Sequence, residues 1–453
     1  MDKNETMRKP HPSLTGGDGV GLFFNPETET LSRAEIEALQ LERLKKTVRH
    51  CMNNEFYRKK FAEAGITPED IQTLDDVRKL PFTTKDDLRS TYPFGMACVP
   101  LRDCVRLHSS SGTTGNPTVI LHTQKDLDEW ANQVARNLWM VGLRPDDVFQ
   151  NSSGYGMFTG GLGFQYGAEK LGMLTVPAAA GNSLRQIKFI KDFGTTAIHA
   201  VPSYVTRLYE VMKEQGVDPR KDTKLKVLAI GAEPHSEEQR RRIEEMMGVK
   251  AYNSFGMSEM CGPGVGFECP EQNGLHFWED YYIVEIVDPE TLEPVPDGEI
   301  GELVLTTLCR EAMPLLRYRT RDLTRVLGRS CPCGRNHIRL DRMRGRSDDM
   351  MVLRGVNIFP IQIEKILMHF EELGNNYLIT LTTDEENDNM TVEVELAEPT
   401  DDYKKLQALE REIRRQLKDE ILLTPIVKLV PRGTLPVSEG KAVRVVDKRK
   451  VYQ

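Results

Sequence analysis

The first regular pattern along the chain is helical. Apolar residues recur with helical spacing between Ser32 and Arg49, and Ser32 followed by Glu35 matches the capping box that begins many helices. The apolar positions of this face are Ile36, Leu39, Leu44 and Val48. The pattern predicts a helix over residues 32–49. Residues 1–30 before it are polar, rich in Gly and Pro and without a period, which is typical of a flexible tail or a loosely docked arm.

Short apolar runs and helical patterns alternate through the middle of the chain. The predicted strands are Leu174–Val176, 197–201 and 227–230. The predicted helices are Ser183–Asp192 and 204–215. Strands that alternate with helices favour an α/β fold in which the helices pack on a sheet.

The pattern changes after about residue 347, where strands and one long helix follow each other. The predicted elements are strands at 377–382 and 390–396, a helix at 401–422 and a strand at Ile426–Val430. They form a small α+β unit of about one hundred residues, a usual size for a domain. The chain is therefore predicted to have a tail at 1–30, a large α/β domain at 31–347 and a C-terminal α+β domain at 348–453.

Composition narrows the class of protein. The chain has 453 residues, of which 39% are hydrophobic and 28% charged, as in globular proteins with a sizeable core. Its net charge of −8 gives no general attraction for nucleic acid or acidic membranes. The start of the sequence lacks the pattern of a secretory signal, and the uncharged run 150–168 is too polar to span a bilayer. We therefore expect a cytoplasmic protein that binds neither membrane nor nucleic acid.

A hydroxyl-rich loop carries the first candidate chemistry. Residues 109–118 read SSSGTTGNPT and lie between two apolar-rich runs, 104–107 and 119–121. Glycines permit tight turns that expose N–H groups, and hydroxyls can donate to phosphate oxygens, so the loop has the chemistry of a phosphate cradle. It lacks the ending of a Walker A loop, and composition alone favours an ordinary Ser/Gly surface turn over a phosphate site. The candidate residues are Ser109, Ser110, Ser111, Gly112, Thr113, Thr114 and Gly115.

Further motifs follow along the chain. They are GAEP at 231–234, NSFGMSE at 253–259, YRTRD at 318–322, GRSDDM at 345–350, RGVNIFP at 354–360 and Lys441 near the end. Together with the hydroxyl-rich loop they resemble the phenylacetate–coenzyme A ligase family of the adenylate-forming superfamily, from about residue 35 to the C-terminus. The resemblance implies a large N-terminal α/β domain of the adenylate-forming type and a small, mobile C-terminal α+β domain.

The resemblance implies an ATP site assembled from several of these motifs. Phe255, where the family usually has Tyr, would stack on adenine, and Asp322 would accept hydrogen bonds from the ribose hydroxyls. The residues implied to contact the nucleotide are Gly231, Ala232, Glu233, Pro234, Asn253, Ser254, Phe255, Gly256, Met257, Ser258, Asp322 and Arg346. Without the other motifs, Asp322 would be one charge in a solvated run with Arg319 and Arg321.

The implied reaction has two halves. A carboxylate oxygen attacks the α-phosphate of ATP to give an acyl-adenylate and pyrophosphate, and a thiol then displaces AMP to give a thioester. Glu259, with Thr114 beside it, is the implied Mg²⁺-associated carboxylate, and Lys441 is the implied adenylation lysine. Alone, Glu259 would be a surface acid and Lys441 one more cation of a basic tail. The C-terminal domain is implied to rotate between the halves about Asp348, with Asp349 as the competing hinge residue.

The uncharged segment 151–168 is implied to line the acyl pocket. It holds aromatic residues among several glycines and no acid or base, and the nearest acid is Glu169 at its edge. An amino acid substrate would bring an ammonium group that needs a carboxylate partner when buried. A flat apolar acid would not, so we expect an arylacetate-like acid with Tyr155, Phe158 and Gly161 as pocket residues. Any single aromatic of the segment could equally belong to the core.

One set of cysteines and a histidine has the composition of a zinc site. Its members are Cys269, His276, Cys331 and Cys333. Three thiolates and one imidazole would complete a tetrahedral structural Zn²⁺ site with no position left for water. His337 is the rival nitrogen ligand and Cys261 the rival sulfur ligand, and two free buried thiols are the alternative without metal.

Two other functions stay open beside the main one. The ATP motifs do not distinguish coenzyme A from a carrier-protein thiol as the acceptor of the acyl group. A different class of protein would use the Cys/His cluster as a zinc-ribbon module for nucleic acid, which the acidic net charge disfavours. The main prediction is an ATP- and Mg²⁺-dependent ligase that joins an aryl acid to coenzyme A. The family resemblance adds a homodimer as an expectation.

Overall fold

The structure is a computed structural model that describes residues 21–109, 116–157, 159–347, 351–353, 356–384, 387–400, 402–436 and 442–449. Its α-helices are α1 Pro26–Glu29, α2 Arg33–Cys51, α3 Glu55–Ala64, α4 Lys85–Ser90, α5 Gln124–Met140, α6 Thr159–Leu171, α7 Ser183–Asp192, α8 Pro202–Glu214, α9 Pro219–Asp222, α10 Glu237–Met247, α11 Pro360–Leu367 and α12 Tyr403–Ile421. Shorter 3₁₀ helices are Pro68–Asp70, Leu74–Lys79, Leu101–Asp103 and Ser258–Met260. In these described residues, no helix is long and apolar enough to cross a membrane.

The strands follow the same chain order. They are β1 Cys104–Ser109, β2 Val119–Thr123, β3 Val148–Asn151, β4 Leu174–Val176, β5 Ala197–Ala200, β6 Val227–Gly231, β7 Lys250–Met257, β8 Gly262–Glu268, β9 Leu275–Phe277, β10 Tyr282–Val287, β11 Gly301–Thr307, β12 Tyr318–Thr324, β13 Val326–Gly328, β14 Arg339–Leu340, β15 Met351–Leu353, β16 Val356–Ile358, β17 Leu373–Asp384, β18 Asn387–Leu396, β19 Ile426–Val430 and β20 Val445–Asp447.

Contacts divide the chain into two compact units, each discontinuous in sequence. Unit 1 comprises Met1–Ala200, Thr223–Ala232 and Tyr252–Met343. Unit 2 comprises Val201–Asp222, Glu233–Ala251 and Arg344–Gln453. Helices α8 and α10 therefore belong to unit 2, although they follow β5 and β6 of unit 1 along the chain. The linear boundaries at 30/31 and 347/348 stay predictions, because a division by contacts does not locate a hinge.

A nine-stranded sheet forms the centre of unit 1, in the order β13-β14-β9-β8-β7-β6-β5-β3-β4. Strands β4, β3, β5 and β6 pair in parallel, whereas β7, β8, β9, β14 and β13 pair antiparallel. The parallel strands β5 and β6 are buried along their whole length, as strands covered on both faces are. The predicted α/β fold is confirmed. Helix α7 and strand β4 have the predicted bounds, and β5 and β6 differ from them by one residue at one end.

The hairpin β1–β2 and a three-stranded sheet of β10, β11 and β12 also belong to unit 1. In the hairpin, Ser109 faces Val119 across the ladder, so the hydroxyl-rich loop leaves and rejoins the hairpin at neighbouring points. In the three-stranded sheet, β12 carries the YRTRD motif and pairs antiparallel with β11.

The start of the described chain is packed rather than loose. Helix α2 begins at Arg33 with the predicted capping box of Ser32 and Glu35. Before it, Glu29 is fully buried, and its Oε2 lies 2.6 Å from Nη2 of Arg335, with Arg136 Nε 3.8 Å from its Oε1. The expectation of a flexible tail is therefore wrong for residues 21–30, because a buried carboxylate is retained only where cations compensate it.

Helix α6 packs on α5 through two glycines one turn apart. A Cβ atom at Gly163 would lie 2.4 Å from Cζ2 of Trp130, and one at Gly167 would lie 2.3 Å from Cγ1 of Val134. Such close approach requires that both positions lack a side chain. Part of the segment that we expected to line the acyl pocket is therefore a helix that packs in the core.

This close packing leads to a prediction with a matched control in the same helix. Gly163→Ala should lower the free energy of unfolding by about 1–3 kcal/mol, because the added methyl would overlap Trp130. A Cβ atom at Gly160 would meet nothing within 4 Å, so Gly160→Ala should leave stability unchanged or raise it by up to about 1 kcal/mol. Urea unfolding of both variants checks the difference, and equal effects would contradict the assigned packing of α6.

Unit 2 contains a four-stranded sheet in the order β19-β18-β17-β20. Strands β17 and β18 form an antiparallel hairpin, and β19 and β20 pair parallel to its two outer edges. Helix α12 packs on α11 and β19, and α10 packs on α8 and α11. The predicted α+β pattern is confirmed, with β19 at the predicted bounds and α12 shorter by two residues at its start and one at its end.

Candidate active site and metal centre

Two of the predicted nucleotide motifs meet in unit 1 at the ends of β6 and β7. A Cβ atom at Gly231 would lie 2.2 Å from the carbonyl oxygen of Ser254, so the two backbones touch where GAEP begins. Ala232 follows with a φ of 66°, in the left-handed region that a side chain makes costly. The tight approach explains why glycine stands at 231 and shows that these two segments form one surface.

The aromatic residue predicted to stack on adenine lies on this surface. Phe255 is half-buried, and its ring centroid is 5.7 Å from that of Phe277 at an interplanar angle of 38°. The next residue, Gly256, is exposed, and a Cβ atom there would lie 2.1 Å from the carbonyl oxygen of Gly262. The β7 backbone is held from the other side, because the Asn253 N–H donates to Oε2 of the buried Glu268 at 2.8 Å.

Glu259 is buried rather than solvated. It lies in the 3₁₀ helix Ser258–Met260 with 7% of its surface exposed, and its Oε1 accepts the hydroxyl of buried Tyr318 at 3.3 Å. The neighbouring Ser258 hydroxyl lies 3.3 Å from that of Thr159, at the start of α6. The interpretation of Glu259 as an ordinary surface acid is therefore wrong. A buried carboxylate needs cations or donors around it, which suits a metal-associated role.

The sequence analysis missed Arg310, which links Glu259 to the hairpin of the hydroxyl-rich loop. This buried guanidinium donates to the carbonyl oxygen of Glu259 at 2.8 Å and to that of Leu121 on β2 at 3.0 Å. It therefore fixes the 3₁₀ helix beside the strand that follows the loop. Arg310 follows β11 along the chain and belongs to no motif or hydrophobic period, so sequence patterns did not predict its role.

The hydroxyl-rich loop is described only at its ends. The N–H of Ser109 donates to the carbonyl oxygen of Met157 at 3.2 Å, which ties the end of β1 to the segment before α6. The remaining predicted residues of this loop lie outside the described residues: Ser110, Ser111, Gly112, Thr113, Thr114 and Gly115. Their contact with phosphate stays a prediction.

Asp322 lies on β12 beside two arginines that have another partner. Nη2 of Arg319 lies 2.7 Å from Oε2 of Glu302, and Nη1 of Arg321 lies 3.7 Å from the same oxygen. Glu302 lies on β11 and is fully buried. The N–H of Asp322 donates to the hydroxyl of Thr320 at 3.0 Å. Since Glu302 holds both arginines, the interpretation of Asp322 as one member of a solvated charge run is not supported. Its contact with ribose stays a prediction.

The candidate acyl segment combines core and polar contacts. Asn151 donates to the hydroxyl of Tyr155 at 3.0 Å and to the carbonyl oxygen of Gly161 at 2.5 Å. Burial raises the pKa of Tyr155, so its hydroxyl stays protonated near neutral pH. Gly161 itself packs closely, since a Cβ atom there would lie 2.5 Å from the carbonyl oxygen of Gly154. Phe158 lies outside the described residues, and the pocket role of all three stays a prediction.

The sequence analysis also missed a buried histidine on β5 that contacts this segment. The ring of His199 stacks on Phe164 with centroids 3.7 Å apart, and its Nδ1 lies 2.9 Å from the hydroxyl of Ser153. Burial lowers the pKa of His199 to about 3, so the ring is neutral. Phe164 is itself buried against Phe149 and His199, and it therefore belongs to the core.

The predicted metal ligands do converge. The ligand atoms of Cys269, His276, Cys331 and Cys333 all lie within 4.8 Å of one another. The Sγ atoms of Cys269 and Cys331 are 3.7 Å apart, and Sγ of Cys333 is 3.4 Å from Nε2 of His276. In a tetrahedral zinc site with bonds of about 2.3 Å to sulfur and about 2.0 Å to nitrogen, the sulfur–sulfur edge is about 3.8 Å and the sulfur–nitrogen edge about 3.5 Å. The donor set and its spacing therefore fit zinc.

The two rival ligands lie elsewhere. Nδ1 of His337 accepts the N–H of Glu279 at 3.1 Å and its Nε2 lies 3.1 Å from the carbonyl oxygen of Thr28, so both nitrogens are in use. Cys261 is buried beside Tyr282 and Arg310, and burial raises its thiol pKa to about 11. Neither belongs to the cluster of ligand atoms found in the described residues.

The remaining predicted residues belong to unit 2. Glu233 and Pro234 are described, with Glu233 half-buried, and Arg346 is described and half-buried. Lys441 and the two hinge candidates, Asp348 and Asp349, lie outside the described residues. The nucleotide, hinge and lysine roles of this set therefore stay predictions.

Comparisons with known proteins add evidence that is independent of the geometry. A family model described as AMP-binding enzyme matches residues 33–309, and one described as AMP-binding enzyme C-terminal domain matches residues 355–449. The chain is 44% identical over 446 residues to a phenylacetate-coenzyme A ligase of Thermus thermophilus, which covers 95% of this chain and 100% of that protein. It is also 44% identical over 427 residues to a phenylacetate-coenzyme A ligase of Escherichia coli. That match covers 93% of this chain and 97% of the Escherichia coli protein.

Among solved structures, the chain is similar to a crystal structure of 2-hydroxyisobutyryl-CoA ligase. That structure is in the postadenylation state in complex with R3-HIB-AMP, and the comparison gives a TM-score of 0.89 at 29% identity. It covers 99% of this chain and 94% of that chain. The family models cover the hydroxyl-rich loop, GAEP, NSFGMSE and Lys441, whereas YRTRD and GRSDDM lie between the two matched ranges. The likeness to the solved structure covers nearly the whole chain.

Proposed function

The chain belongs to the phenylacetate–coenzyme A ligase family of AMP-binding enzymes, and from that premise we propose which acid it activates and which residues do so. It is an ATP-dependent acid–thiol ligase that forms an acyl-adenylate, transfers the acyl group to coenzyme A and releases AMP and pyrophosphate. The family, the fold class and this reaction, all predicted from the sequence motifs, are confirmed.

The observation that carries the residue assignment is the meeting of β6 and β7. Gly231 lies against Ser254 on β7, and the chain continues through Phe255 into the 3₁₀ helix that carries the buried carboxylate of Glu259. This places an aromatic face and a carboxylate within five residues of one another. We assign Phe255 to adenine, Asp322 to the ribose and the hydroxyl-rich loop to the phosphates, since each has the matching chemistry.

The first half-reaction develops negative charge on phosphate oxygens. The carboxylate oxygen of the acid forms a bond to the α-phosphorus while the bond to pyrophosphate breaks. Donors and cations fixed around that charge lower the barrier because they need no rearrangement during the reaction. Glu259 would hold Mg²⁺, which when bound neutralises phosphate charge, and the Lys441 ammonium would bridge carboxylate and phosphate oxygens.

The acid is proposed to be arylacetate-like. The described part of segment 151–168 holds neutral polar groups, namely Asn151, Tyr155 and Ser153, beside the neutral ring of His199. These groups offer no carboxylate to an ammonium group of the substrate, which would be costly to bury unpaired. A neutral aromatic acid is therefore favoured over an amino acid.

A substrate panel tests this proposal. Pyrophosphate release should be fastest with phenylacetate, slower with benzoate and negligible with phenylalanine, and free coenzyme A should accelerate AMP formation. If an amino acid were preferred, the pocket assignment would be wrong. If coenzyme A gave no acceleration while a carrier protein became acylated, the acceptor would be the carrier thiol.

We also propose that the four clustered residues hold a structural zinc ion. A thiol pair 3.7 Å apart is far beyond disulfide distance, and three sulfurs with one nitrogen leave no position for water. The loop after Cys333 is tied to the start of the chain: Arg335 pairs with Glu29, and Asn336 donates to the carbonyl oxygen of Leu31 at 3.0 Å. The metal loop and residues 21–31 are therefore expected to be stabilised together.

Metal analysis checks the zinc proposal. Purified protein should contain about one zinc per chain, and Cys333→Ser should lower this content, whereas Cys104→Ser, outside the cluster, should not. Removal of zinc by a chelator should speed hydrogen exchange in residues 21–31, because their partners on the loop lose their anchor. A full zinc content in Cys333→Ser, or unchanged exchange after chelation, would contradict the proposal.

Two further expectations concern the cellular location and the oligomeric state of the protein. The eight cysteines, all within the described residues, are free thiols, which suits a reducing compartment. We propose a cytoplasmic location on that ground. A homodimer remains an expectation from the family resemblance, and light scattering of the purified protein would test it.

A further inference from the structure

Arg310 connects two segments of unit 1 that lie far apart in the sequence. Its Nη1 donates to the carbonyl oxygen of Glu259 at 2.8 Å, and its Nη2 donates to that of Leu121 on β2 at 3.0 Å. The arginine is 7% exposed, so water competes little for these donors. Hydrogen bonds from a charged donor are stronger than those between neutral groups. One buried guanidinium therefore holds the backbone of Glu259 at a fixed place beside β2.

The backbone that carries Arg310 is itself anchored. Oδ1 of Asp126 accepts the N–H of Glu311 at 2.7 Å, and Oδ2 accepts the N–H of Ala312 at 3.0 Å. Asp126 is buried, and its Oδ2 also accepts the N–H of Thr123 at 3.0 Å, at the start of α5. The arginine side chain therefore starts from a fixed point at the turn between β2 and α5, and its outer end can position the group that it binds.

The segment that accepts the hydrogen bond is too short to fix its own orientation. The 3₁₀ helix Ser258–Met260 is a single turn, closed by a hydrogen bond from the N–H of Cys261 back to its first carbonyl oxygen at 3.2 Å. A single hydrogen-bonded turn is not stable alone, so contacts from outside must hold it. The last carbonyl of the turn accepts the Tyr282 hydroxyl at 3.1 Å. The middle carbonyl, that of Glu259, is held by Arg310.

We propose that Arg310 is a positioning residue that places the Glu259 carboxylate for Mg²⁺. Because a fixed backbone leaves a side chain only a few rotamers, a fixed Glu259 carbonyl limits where the carboxylate of the same residue can lie. Tyr318 then donates to Oε1 at 3.3 Å and selects among those positions. This inference rests on the proposed role of Glu259. Residues that orient a metal ligand typically change metal affinity or activity by about 10- to 100-fold when they are replaced.

Binding of ATP tests the proposal without catalysis. With no carboxylic acid present, calorimetry gives the dissociation constant of ATP with and without added Mg²⁺, and the ratio of the two constants measures the contribution of the metal. Arg310→Lys keeps the charge, but an ammonium cannot reproduce the planar fork that reaches both carbonyls. This ratio should fall by about 10-fold in Arg310→Lys, whereas ATP binding without Mg²⁺ should stay nearly the same. An unchanged ratio would overturn the proposal.

Arg339→Lys is the matched control. Arg339 on β14 is 8% exposed and also donates to two backbone carbonyls, those of Asn273 at 2.7 Å and Ser330 at 3.0 Å. Neither carbonyl belongs to the turn that carries Glu259. The control should lower the melting temperature about as much as Arg310→Lys does and leave the ratio of dissociation constants unchanged. Equal falls of the ratio in the two variants would indicate a general loss of folding and would overturn the proposal.

Hydrogen exchange measures the positioning directly. Arg310→Lys should speed exchange of the Cys261 N–H, which closes the turn, and Arg339→Lys should not. If exchange at this position stayed the same in Arg310→Lys, the turn would be held without the arginine, and the proposal would be wrong.

Glu259→Gln, measured in the same ATP titrations, separates this inference from the proposed function. If the amide leaves the ratio of dissociation constants unchanged, the proposed role of Glu259 fails, and the role of Arg310 fails with it. If the amide lowers the ratio while Arg310→Lys does not, only the role of Arg310 fails. A lower ratio in both variants, with faster exchange of Cys261 in Arg310→Lys, is the result that the proposal predicts.

Discussion

Lys441→Ala is expected to slow adenylate formation by about 10²- to 10³-fold, the usual effect of removing one fixed group that stabilises transition-state charge. The thioester-forming rate from supplied acyl-adenylate should change far less, because the expected rotation of the C-terminal domain would remove the lysine from the phosphate before that step. Pyrophosphate release and thioester formation, measured separately at saturating ATP, give the two rates. The ratio of the rates is the informative quantity, since a folding defect lowers both together.

Lys448 provides the control for Lys441. It lies in the same basic tail, is exposed, and its backbone N–H donates to the carbonyl oxygen of Leu381 at 2.8 Å. Lys448→Ala leaves that backbone bond in place and should change neither half-reaction by more than about twofold. Equal losses in the two lysine variants would mean that the tail acts through its general charge. Equal losses of both half-reactions in Lys441→Ala would contradict the specific role assigned to this residue.

Glu259→Gln is expected to lower the adenylation rate by about 10²-fold and to shift the Mg²⁺ dependence to higher concentration. The amide keeps an oxygen that can accept the Tyr318 hydroxyl, so the local fold is preserved. It removes the negative charge that attracts a hard cation. A titration of the adenylation rate with Mg²⁺ measures both changes.

Two further variants isolate the carboxylate at Glu259. Tyr318→Phe removes the hydroxyl that holds Oε1 and should cost about tenfold, as loss of a supporting hydrogen bond around a metal ligand does. Glu311→Gln changes a carboxylate whose partner, Lys125, lies 2.8 Å away, and it should leave the Mg²⁺ dependence unchanged. If Glu259→Gln retained the original Mg²⁺ dependence, this residue would not be a metal-associated carboxylate.

Regular periods in the sequence predicted much of the fold. Helix α7 and strands β4 and β19 have the predicted bounds because each combines a clear period with turn residues at both ends. The sequence also predicted that Cys269, His276, Cys331 and Cys333 would cluster, and their ligand atoms do lie within 4.8 Å of one another. The rival ring of His337 contacts Glu279 and Thr28 instead, which only the structure shows. Zinc binding by the cluster stays a prediction.

Other features depend on contacts between distant parts of the chain. Helix α6 was not predicted, because its glycines lower helix propensity; its cause is packing of Gly163 against Trp130 on another helix. The spacing of Gly163 and Gly167, one helical turn, was the available signal. The packing of residues 21–30 could not be predicted from their own sequence. Glu29 is held by Arg136 and Arg335, which are more than one hundred residues away along the chain. Single residues such as Arg310 carry no period at all.

The nucleotide motifs show which features of the site the family resemblance could predict and which it could not. The motifs identified the family and the reaction, and the structure brings Gly231 and Ser254 into contact as a shared site requires. The side chain of Glu233 accepts hydrogen bonds from Ser203 and Ala442, which lie in segments that no motif links to it. The resemblance therefore predicted the chemistry, whereas contacts of this kind are visible only in the structure.

The central claim is that a carboxylate oxygen of the acid attacks the α-phosphorus of ATP. Phenylacetate labelled with ¹⁸O in both carboxylate oxygens tests it most directly, with mass spectrometry of the products after a complete reaction with ATP and coenzyme A. The account predicts that AMP gains one labelled oxygen, that the thioester keeps the other and that pyrophosphate contains none. Label in pyrophosphate or in inorganic phosphate, or AMP without label, would contradict it.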